Sequence, residues 1–149
     1  MSTNILNLIP EDPAFVPAAT AQREATQLLN GFLPGAREIA ATVHDDIIFV
    51  DQGGLFETVS CPACGVEWTT PWWQDAMDES YRSHFRNLLV TAPCCGTPVS
   101  LNELRYDRPA GFARFVLRAE APWHDLTEEQ QAAISAVLGC RLRKIWARY

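Results

Sequence analysis

Cysteines are the residues of this 149-residue chain most able to do chemistry, and four of the five lie in two short clusters. The first is the segment Cys61-Pro62-Ala63-Cys64-Gly65, and the second, further along, is Pro93-Cys94-Cys95-Gly96. Zinc binds deprotonated thiolates at Zn–S distances of about 2.3 Å, and structural sites place four ligands in a tetrahedron. A Cys-x-x-Cys turn supplies two such ligands, and the following glycine admits a backbone conformation that a side chain would block. The two clusters together predict one zinc site.

The fourth ligand of this site is less regular than the other three. Cys95 stands before a glycine, but the residue three positions earlier is Ala92, so Cys94 must bind from the adjacent position. Adjacent cysteines can share one tetrahedral zinc only where the backbone turns sharply, because an extended strand points them to opposite faces. His84, expected on a helix between the clusters, is the alternative fourth ligand. Cys140 is expected to be a free buried thiol at a helix end.

The two clusters resemble a zinc ribbon, in which a Cys-Pro-x-Cys-Gly turn occurs twice, each time at the tip of a hairpin. The resemblance covers only the middle of the chain. It implies that Cys61, Cys64 and Cys95 take ligand positions directly, whereas Cys94 departs from the family pattern. Four cysteines would close the site and favour a structural zinc ion, since a catalytic zinc keeps one position open for water. Redox cysteines without metal are the other interpretation, but the residues after Gly65 read as strand rather than as the helix that lowers a redox thiol's pKa.

Composition and charge narrow the possible partners. The formal net charge is −6, which disfavours non-specific nucleic-acid binding, because such binding depends on neutralising phosphates. The chain contains no apolar run long enough to span a membrane, and its first residues lack the pattern of a secretory signal. We therefore expect a cytoplasmic protein, and short cysteine spacings in a reducing compartment indicate metal rather than disulfides.

Hydrophobic periodicity outside the cysteine region predicts two successive β-α-β units. Helices are predicted from Ala18 to about Phe32 and, after a Thr127-Glu128-Glu129-Gln130 capping box, to Leu138 with a stop at Gly139. Strands are predicted at 4–9, 38–43, 47–50, 112–119 and 141–149, with an interruption or a turn at His44-Asp45-Asp46. The predicted fold is α+β, a ferredoxin-like β-α-β/β-α-β sheet with a zinc-ribbon insertion between its second and third strands. The α+β core domain would comprise 1–54 and 106–149, and the zinc-binding insert 55–105.

Two features outside the cysteines bear on binding. The pair Trp72-Trp73 opens a predicted helix that runs to about Asn87, and it is expected to dock the insert onto the core rather than to anchor a partner. If the last two strands alternate as predicted, one face of the sheet displays a basic set with one aromatic side chain: Arg114, Arg118, Lys144, Trp146 and Arg148. Such a face could stack and neutralise single-stranded nucleic acid. A strand face that is solvated, or covered by the zinc-binding insert, is the favoured interpretation.

No phosphate-binding loop, nucleophile elbow, catalytic triad or dinucleotide fingerprint is present in the sequence. We therefore predict a small cytoplasmic protein with one structural Zn²⁺ that is not an enzyme and whose partner is another protein. An accessory role, such as neutralising a bacterial effector or toxin, would suit a small acidic chain. A nucleic-acid-binding zinc-ribbon protein that uses the basic C-terminal strand face is the first alternative. A metalloenzyme whose zinc is held by Cys61, Cys64 and Cys95 is the second.

Overall fold

The computed structural model describes residues 2–149, so Met1, the first residue of the predicted core range, lies outside the described residues. The elements, in chain order, are β1 (Asn4–Pro10), α1 (Ala19–Phe32), β2 (Glu38–Val50), β3 (Val59–Ser60), α2 (Thr70–Tyr81), β4 (Leu89–Thr91), β5 (Pro98–Ser100), a 3₁₀ turn (Leu101–Glu103), β6 (Arg105–Tyr106), β7 (Gly111–Glu120), α3 (Glu128–Leu138) and β8 (Leu142–Arg148). The predicted α+β class is confirmed. No helix within 2–149 is both long and apolar enough to cross a membrane.

One four-stranded antiparallel sheet organises the chain. Its strand order is β2-β7-β1-β8, and every neighbouring pair is antiparallel. The main core contains fully buried sheet residues and fully buried residues of α1 and α3: Leu6, Leu8, Leu117 and Ala119 from the sheet with Ala25, Leu29 and Ile134 from the helices. Burying each leucine or isoleucine side chain of this core stabilises the fold by about 1.5–3 kcal/mol.

Both ends of α3 follow the sequence prediction. Thr127 Oγ1 accepts a hydrogen bond from the Gln130 amide at 3.1 Å, and Gln130 Oε1 accepts one from the Thr127 amide at 3.0 Å. Gly139 ends the helix with a φ of 76°, a conformation in which a side chain would be strained. The capping box and the glycine stop are therefore confirmed.

Of the interruption or turn predicted at His44-Asp45-Asp46, the turn is wrong, because these residues lie within the single strand β2. The register of β2 against β7 instead shifts between Val43 and Ile48, and the Arg114 guanidinium donates to the His44 carbonyl oxygen at 3.0 Å inside the irregularity. A β-bulge accommodates extra residues without ending a strand. Polar residues between two apolar runs are compatible with either outcome, which is why the sequence pattern was ambiguous.

The helix between the cysteine clusters is shorter than predicted. It ends at Tyr81 rather than near Asn87, and His84 and Phe85 follow in left-handed conformations with φ of 53° and 60°. The Ser80 hydroxyl donates to the Asn87 carbonyl oxygen at 2.6 Å and closes the turn. His84 therefore does not lie on the helix.

The predicted basic face is also wrong, because strand register divides its members between the two sides of the sheet. Residues paired across antiparallel strands point to the same side. Arg118 is paired with Asn7, whereas Lys144 is paired with Leu8. Because Asn7 and Leu8 are adjacent in β1, their partners face opposite sides. Trp146 packs against the main core instead of being displayed.

A second core joins the cysteine region to the sheet. Phe112 of β7 is fully buried in it, and the Phe49 ring of β2 lies 5.0 Å from the Phe112 ring. Trp73 of α2 meets Phe49 edge-on at 5.7 Å and stacks on Phe56 at 5.3 Å. Trp73 thus docks α2 onto the sheet, as expected for the pair, whereas Trp72 is 40% exposed.

Arg143 of β8 connects the sheet to the segment that precedes β7. Its guanidinium donates to the carbonyl oxygens of Asn102 and Ala110 at 2.8 and 2.9 Å and to Glu11 Oε2 at 2.7 Å. The Arg143 side chain is only 16% exposed, and Asn102 and Ala110 are buried. These carbonyl groups would lack a donor without it.

We expect Arg143→Ala to lower the free energy of unfolding by about 2–3 kcal/mol, because it leaves buried carbonyl groups unsatisfied. Urea denaturation followed by circular dichroism provides the measurement. The control is Arg141→Ala at an exposed neighbour, which should stay within about 0.5 kcal/mol of the parent. Equal losses in both variants would show that Arg143 is not a connecting residue.

Candidate metal centre

The first cysteine cluster forms a tight turn at the end of β3. The Cys61 amide donates to the Val66 carbonyl oxygen at 2.9 Å, and the Gly65 amide donates to the Cys61 carbonyl oxygen at 2.9 Å. Gly65 has a φ of 78°, in the region that only glycine adopts freely. The glycine after Cys64 is thus required by the turn itself.

The second cluster forms the same turn between β4 and β5. The Ala92 amide donates to the Thr97 carbonyl oxygen at 2.9 Å, and the Gly96 amide donates to the Ala92 carbonyl oxygen at 2.8 Å. Gly96 has a φ of 71°. Ala92 therefore occupies the place that Cys61 holds in the first turn, and Cys95 occupies the place of Cys64. Cys94 stands one residue before Cys95, within the turn.

The two turns bring four sulfur atoms together. The Sγ atoms of Cys61, Cys64, Cys94 and Cys95 all lie within 4.8 Å of one another. The Cys61–Cys95 separation is 3.9 Å and the Cys64–Cys94 separation is 3.3 Å. Four sulfurs at about 2.3 Å around a tetrahedral zinc would be separated by about 3.8 Å. The four cysteines could therefore hold a metal ion, and the sharp turn needed for two adjacent ligands is present.

The thiols differ in burial and in proton affinity. Cys61 is buried and Cys94 half-buried, whereas Cys64 and Cys95 are exposed. Burial alone would raise the pKa of Cys61, but hydrogen bonds from the Cys64 and Ala63 amides and from neighbouring thiols outweigh it and lower this pKa to about 7. Burial and the adjacent Cys64 thiol raise the pKa of Cys94 to about 12. Four thiolates this close repel one another, so full deprotonation requires a cation among them.

Cys95 has its own polar neighbour in the second turn. The Thr97 hydroxyl lies 3.3 Å from Cys95 Sγ, and this group, with the Thr97 amide, lowers the pKa of Cys95. Hydrogen bonds of this kind stabilise a thiolate and orient it toward a metal.

Trp68 places a buried hydrogen-bond donor beside the cluster. Its indole N–H is buried and has no acceptor among residues 2–149. The same indole opposes the rise in the pKa of Cys94, so it acts on that sulfur in its charged form. A metal-bound thiolate accepts hydrogen bonds that orient it, and Cys94 as such a ligand would satisfy the N–H. The residues present fit a thiolate-bound metal.

The other candidate residues lie apart from the sulfur cluster. His84 Nδ1 lies 3.8 Å from Oδ2 of Asp46, a residue of β2. Cys140 follows α3 and packs at the edge of the main core, where burial raises the pKa of its thiol. Trp68 and Thr97 were not predicted. Their positions, three residues after Gly65 and one residue after Gly96, were the available signal.

Comparisons of the chain with protein-family models, with curated proteins and with solved structures give no match. The resemblance to zinc ribbons therefore rests on the two turns alone.

The equivalence of the two turns predicts a rescue. We expect Cys94→Ala to weaken zinc binding about 100-fold, since a binding free energy of ~10–16 kcal/mol shared among four ligands is roughly 3 kcal/mol for each. Adding Ala92→Cys should restore binding, because Ala92 lies where Cys61 lies in the other turn. Competition with a chromophoric chelator measures the zinc affinity of all three proteins.

The matched control for this experiment is Cys140→Ala, which removes a cysteine outside the cluster and should leave zinc affinity unchanged. Parental zinc affinity in the Cys94→Ala protein would contradict the four-cysteine site. A double variant no better than Cys94→Ala would contradict the equivalence of Ala92 and Cys61.

Proposed function

We propose that this protein is a small non-enzymatic binding module with one structural Zn²⁺, held by Cys61, Cys64, Cys94 and Cys95, and that its partner is another protein. The observation that carries the proposal is the convergence of four sulfurs at spacings close to those of a tetrahedral thiolate site. Tetrahedral all-sulfur sites suit zinc or iron, and zinc brings no redox chemistry. Four thiolates fill the coordination sphere and leave no place for a reacting water.

The proposed architecture is a ferredoxin-like sheet that carries a zinc-ribbon-like insert at 55–105, between the core segments 1–54 and 106–149. Strand order supports it: β7 lies between β1 and β2, and β1 lies between β7 and β8. Each β-α-β unit is therefore split by a strand of the other, as in the split β-α-β arrangement. All elements that carry cysteine ligands lie between β2 and β7.

Charge supports a protein partner over nucleic acid. The net charge is −6, and part of the basic set predicted for one face is neutralised within the chain. Lys144 Nζ lies 2.9 Å from Asp125 Oδ2, and an Arg118 guanidinium nitrogen lies 4.0 Å from Glu120 Oε2. These basic side chains lie on both sides of the sheet and some are paired with acidic residues, so they do not form the continuous basic groove that binds a phosphate backbone. We further propose that the protein works in the cytoplasm, where thiols stay reduced and free to bind metal.

We expect protein purified without chelators to contain one zinc per chain by elemental analysis. Removing it should unfold the insert while the sheet and its two helices persist, because metal-binding free energy is folding free energy for the segment that supplies the ligands. Amide hydrogen exchange should therefore show lost protection in 55–105 and retained protection in β1, β7 and α3.

Zinc re-addition is the control and should restore the exchange pattern. Uniform loss of protection would contradict the two-part architecture. Absence of zinc, or iron in its place, would overturn the proposed metal. Full zinc occupancy in a Cys94→Ser protein of parental stability would favour the three-cysteine metalloenzyme instead. Salt-sensitive retention on single-stranded RNA that charge reversal at Lys144 and Arg148 abolishes would favour the nucleic-acid alternative.

A further inference from the structure

We infer that the groove between β8 and α3 binds an extended peptide segment of a partner protein, which pairs with the free outer edge of β8. This inference rests on the proposed protein-binding function and names its surface. It concerns the sheet and α3 rather than the cysteine region. Four observations carry it: the direction of the β8 backbone groups, a pairing already made at one end of this edge, the groove, and an unpaired cation.

Alternate residues of β8 direct their backbone amide and carbonyl groups away from the sheet. Tyr149 pairs inward with Thr3, through a bond from the Tyr149 amide to the Thr3 carbonyl oxygen at 3.0 Å. The backbone groups of Arg148 point outward, away from β1, because the Arg148 amide donates to the Gln52 carbonyl oxygen at 3.1 Å. Since strand geometry repeats every two residues, the amide and carbonyl groups of Lys144 and Trp146 also point outward.

A segment of the chain already pairs with one end of this edge. Gly53 forms a parallel bridge with Arg148, and the Gly54 amide donates to the Arg148 carbonyl oxygen at 2.7 Å. Within residues 2–149, no backbone group pairs with the outward sides of Lys144 and Trp146. The edge therefore already pairs with residues 52–54 at Arg148. It offers equivalent unpaired amide and carbonyl groups at Lys144 and Trp146. Peptide recognition by strand addition uses such an edge.

A groove lies alongside the unpaired part of the edge. Its volume is about 670 Å³, and β8 and α3 both line it, with Leu142 and Lys144 on one side and Gln131, Ala132 and Ser135 on the other. The size falls within the ~300–1,000 Å³ of typical binding clefts. Gln131 Nε2 donates to the Leu142 carbonyl oxygen at 3.4 Å, so α3 already contacts the outward backbone. A paired peptide would direct alternate side chains into this groove.

Charge indicates which peptide fits. Four charged side chains line the groove: Glu11, Glu128, Arg141 and Lys144. Glu11 is paired with Arg143, whereas Glu128 and Arg141 are exposed and form no ion pair within residues 2–149. Lys144, in contrast, is occupied by Asp125. An acidic residue in the peptide would complement Arg141, a basic residue would complement Glu128, and an apolar residue between them would contact Ala132 and Leu142. The groove therefore selects an extended segment that carries an acidic, an apolar and a basic side chain on one face.

The test uses the full zinc-loaded chain and a displayed library of random peptides of about ten residues, longer than an average strand of ~5–6. We expect enriched peptides that carry an acidic, an apolar and a basic residue at alternate positions. Ala132→Trp should weaken binding of an enriched peptide at least about tenfold by filling the groove. The matched control is Ala136→Trp, equally exposed on α3 but outside the groove lining, and it should bind as the parent does. Arg141→Glu should lose the preference for acidic peptides.

Hydrogen exchange on the same samples tests the binding mode. Bound peptide should slow exchange of the Lys144 and Trp146 amides and leave that of the inward-facing Ile145 amide unchanged. No enriched peptide, equal binding by both tryptophan variants, or unprotected edge amides would each overturn the inference, as would capture of single-stranded RNA in preference to peptides. Zinc content measured alongside separates the two proposals: peptide binding without zinc would sink only the metal proposal, and full zinc without peptide binding would sink only this one.

Discussion

Four cysteine sulfur atoms lie so close together that all of them could be deprotonated only with a cation among them, and the middle of the chain is arranged around this constraint. Two hairpin turns with the same hydrogen bonds bring the cysteines together. Hydrophobic side chains beneath them, including Trp68 and Val99, pack with Phe112 of the sheet. The position of the cluster is therefore set by the sheet, while its closure depends on what balances the charge.

The sequence correctly predicted the parts of the fold that depend on interactions between neighbouring residues. The capping box at Thr127, the stop at Gly139 and the glycines that follow the cysteine pairs each depend on a few neighbouring residues. The gathering of Cys94 with the other three cysteines was also anticipated, because a knuckle turn is a local structure. These features need no knowledge of distant contacts.

Features that depend on distant strands were missed. The bulge in β2 is defined by its register against β7, and a sequence pattern cannot distinguish it from a turn. Whether Lys144 shares a side with Arg118 depends on how both strands pair with β1, and a shift by one residue reverses the answer. Trp68 was overlooked for a similar reason, because its relation to Cys94 exists only once both hairpins are folded.

The sheet also places its two outer strands in different situations. β2 carries the bulge, which interrupts the regular spacing that an added strand would need. β8 is regular along its length, and its outward backbone groups are engaged at Arg148, by Gln52 and Gly54, and at Leu142, by the Gln131 side chain. One edge is thus interrupted by a bulge, and the other offers unpaired backbone groups at Lys144 and Trp146, a difference that neither composition nor net charge reveals.

Strands β2 and β7 are sheet neighbours, yet the whole cysteine region separates them along the chain. Bringing such distant segments together costs chain entropy that rises with the logarithm of the loop length. A metal ion bound by both turns would shorten the flexible part of the segment between β2 and β7 before these strands pair. The metal would then cross-link the long connection between two antiparallel neighbouring strands. Its presence would influence the folding rate of the sheet as well as the stability of the insert.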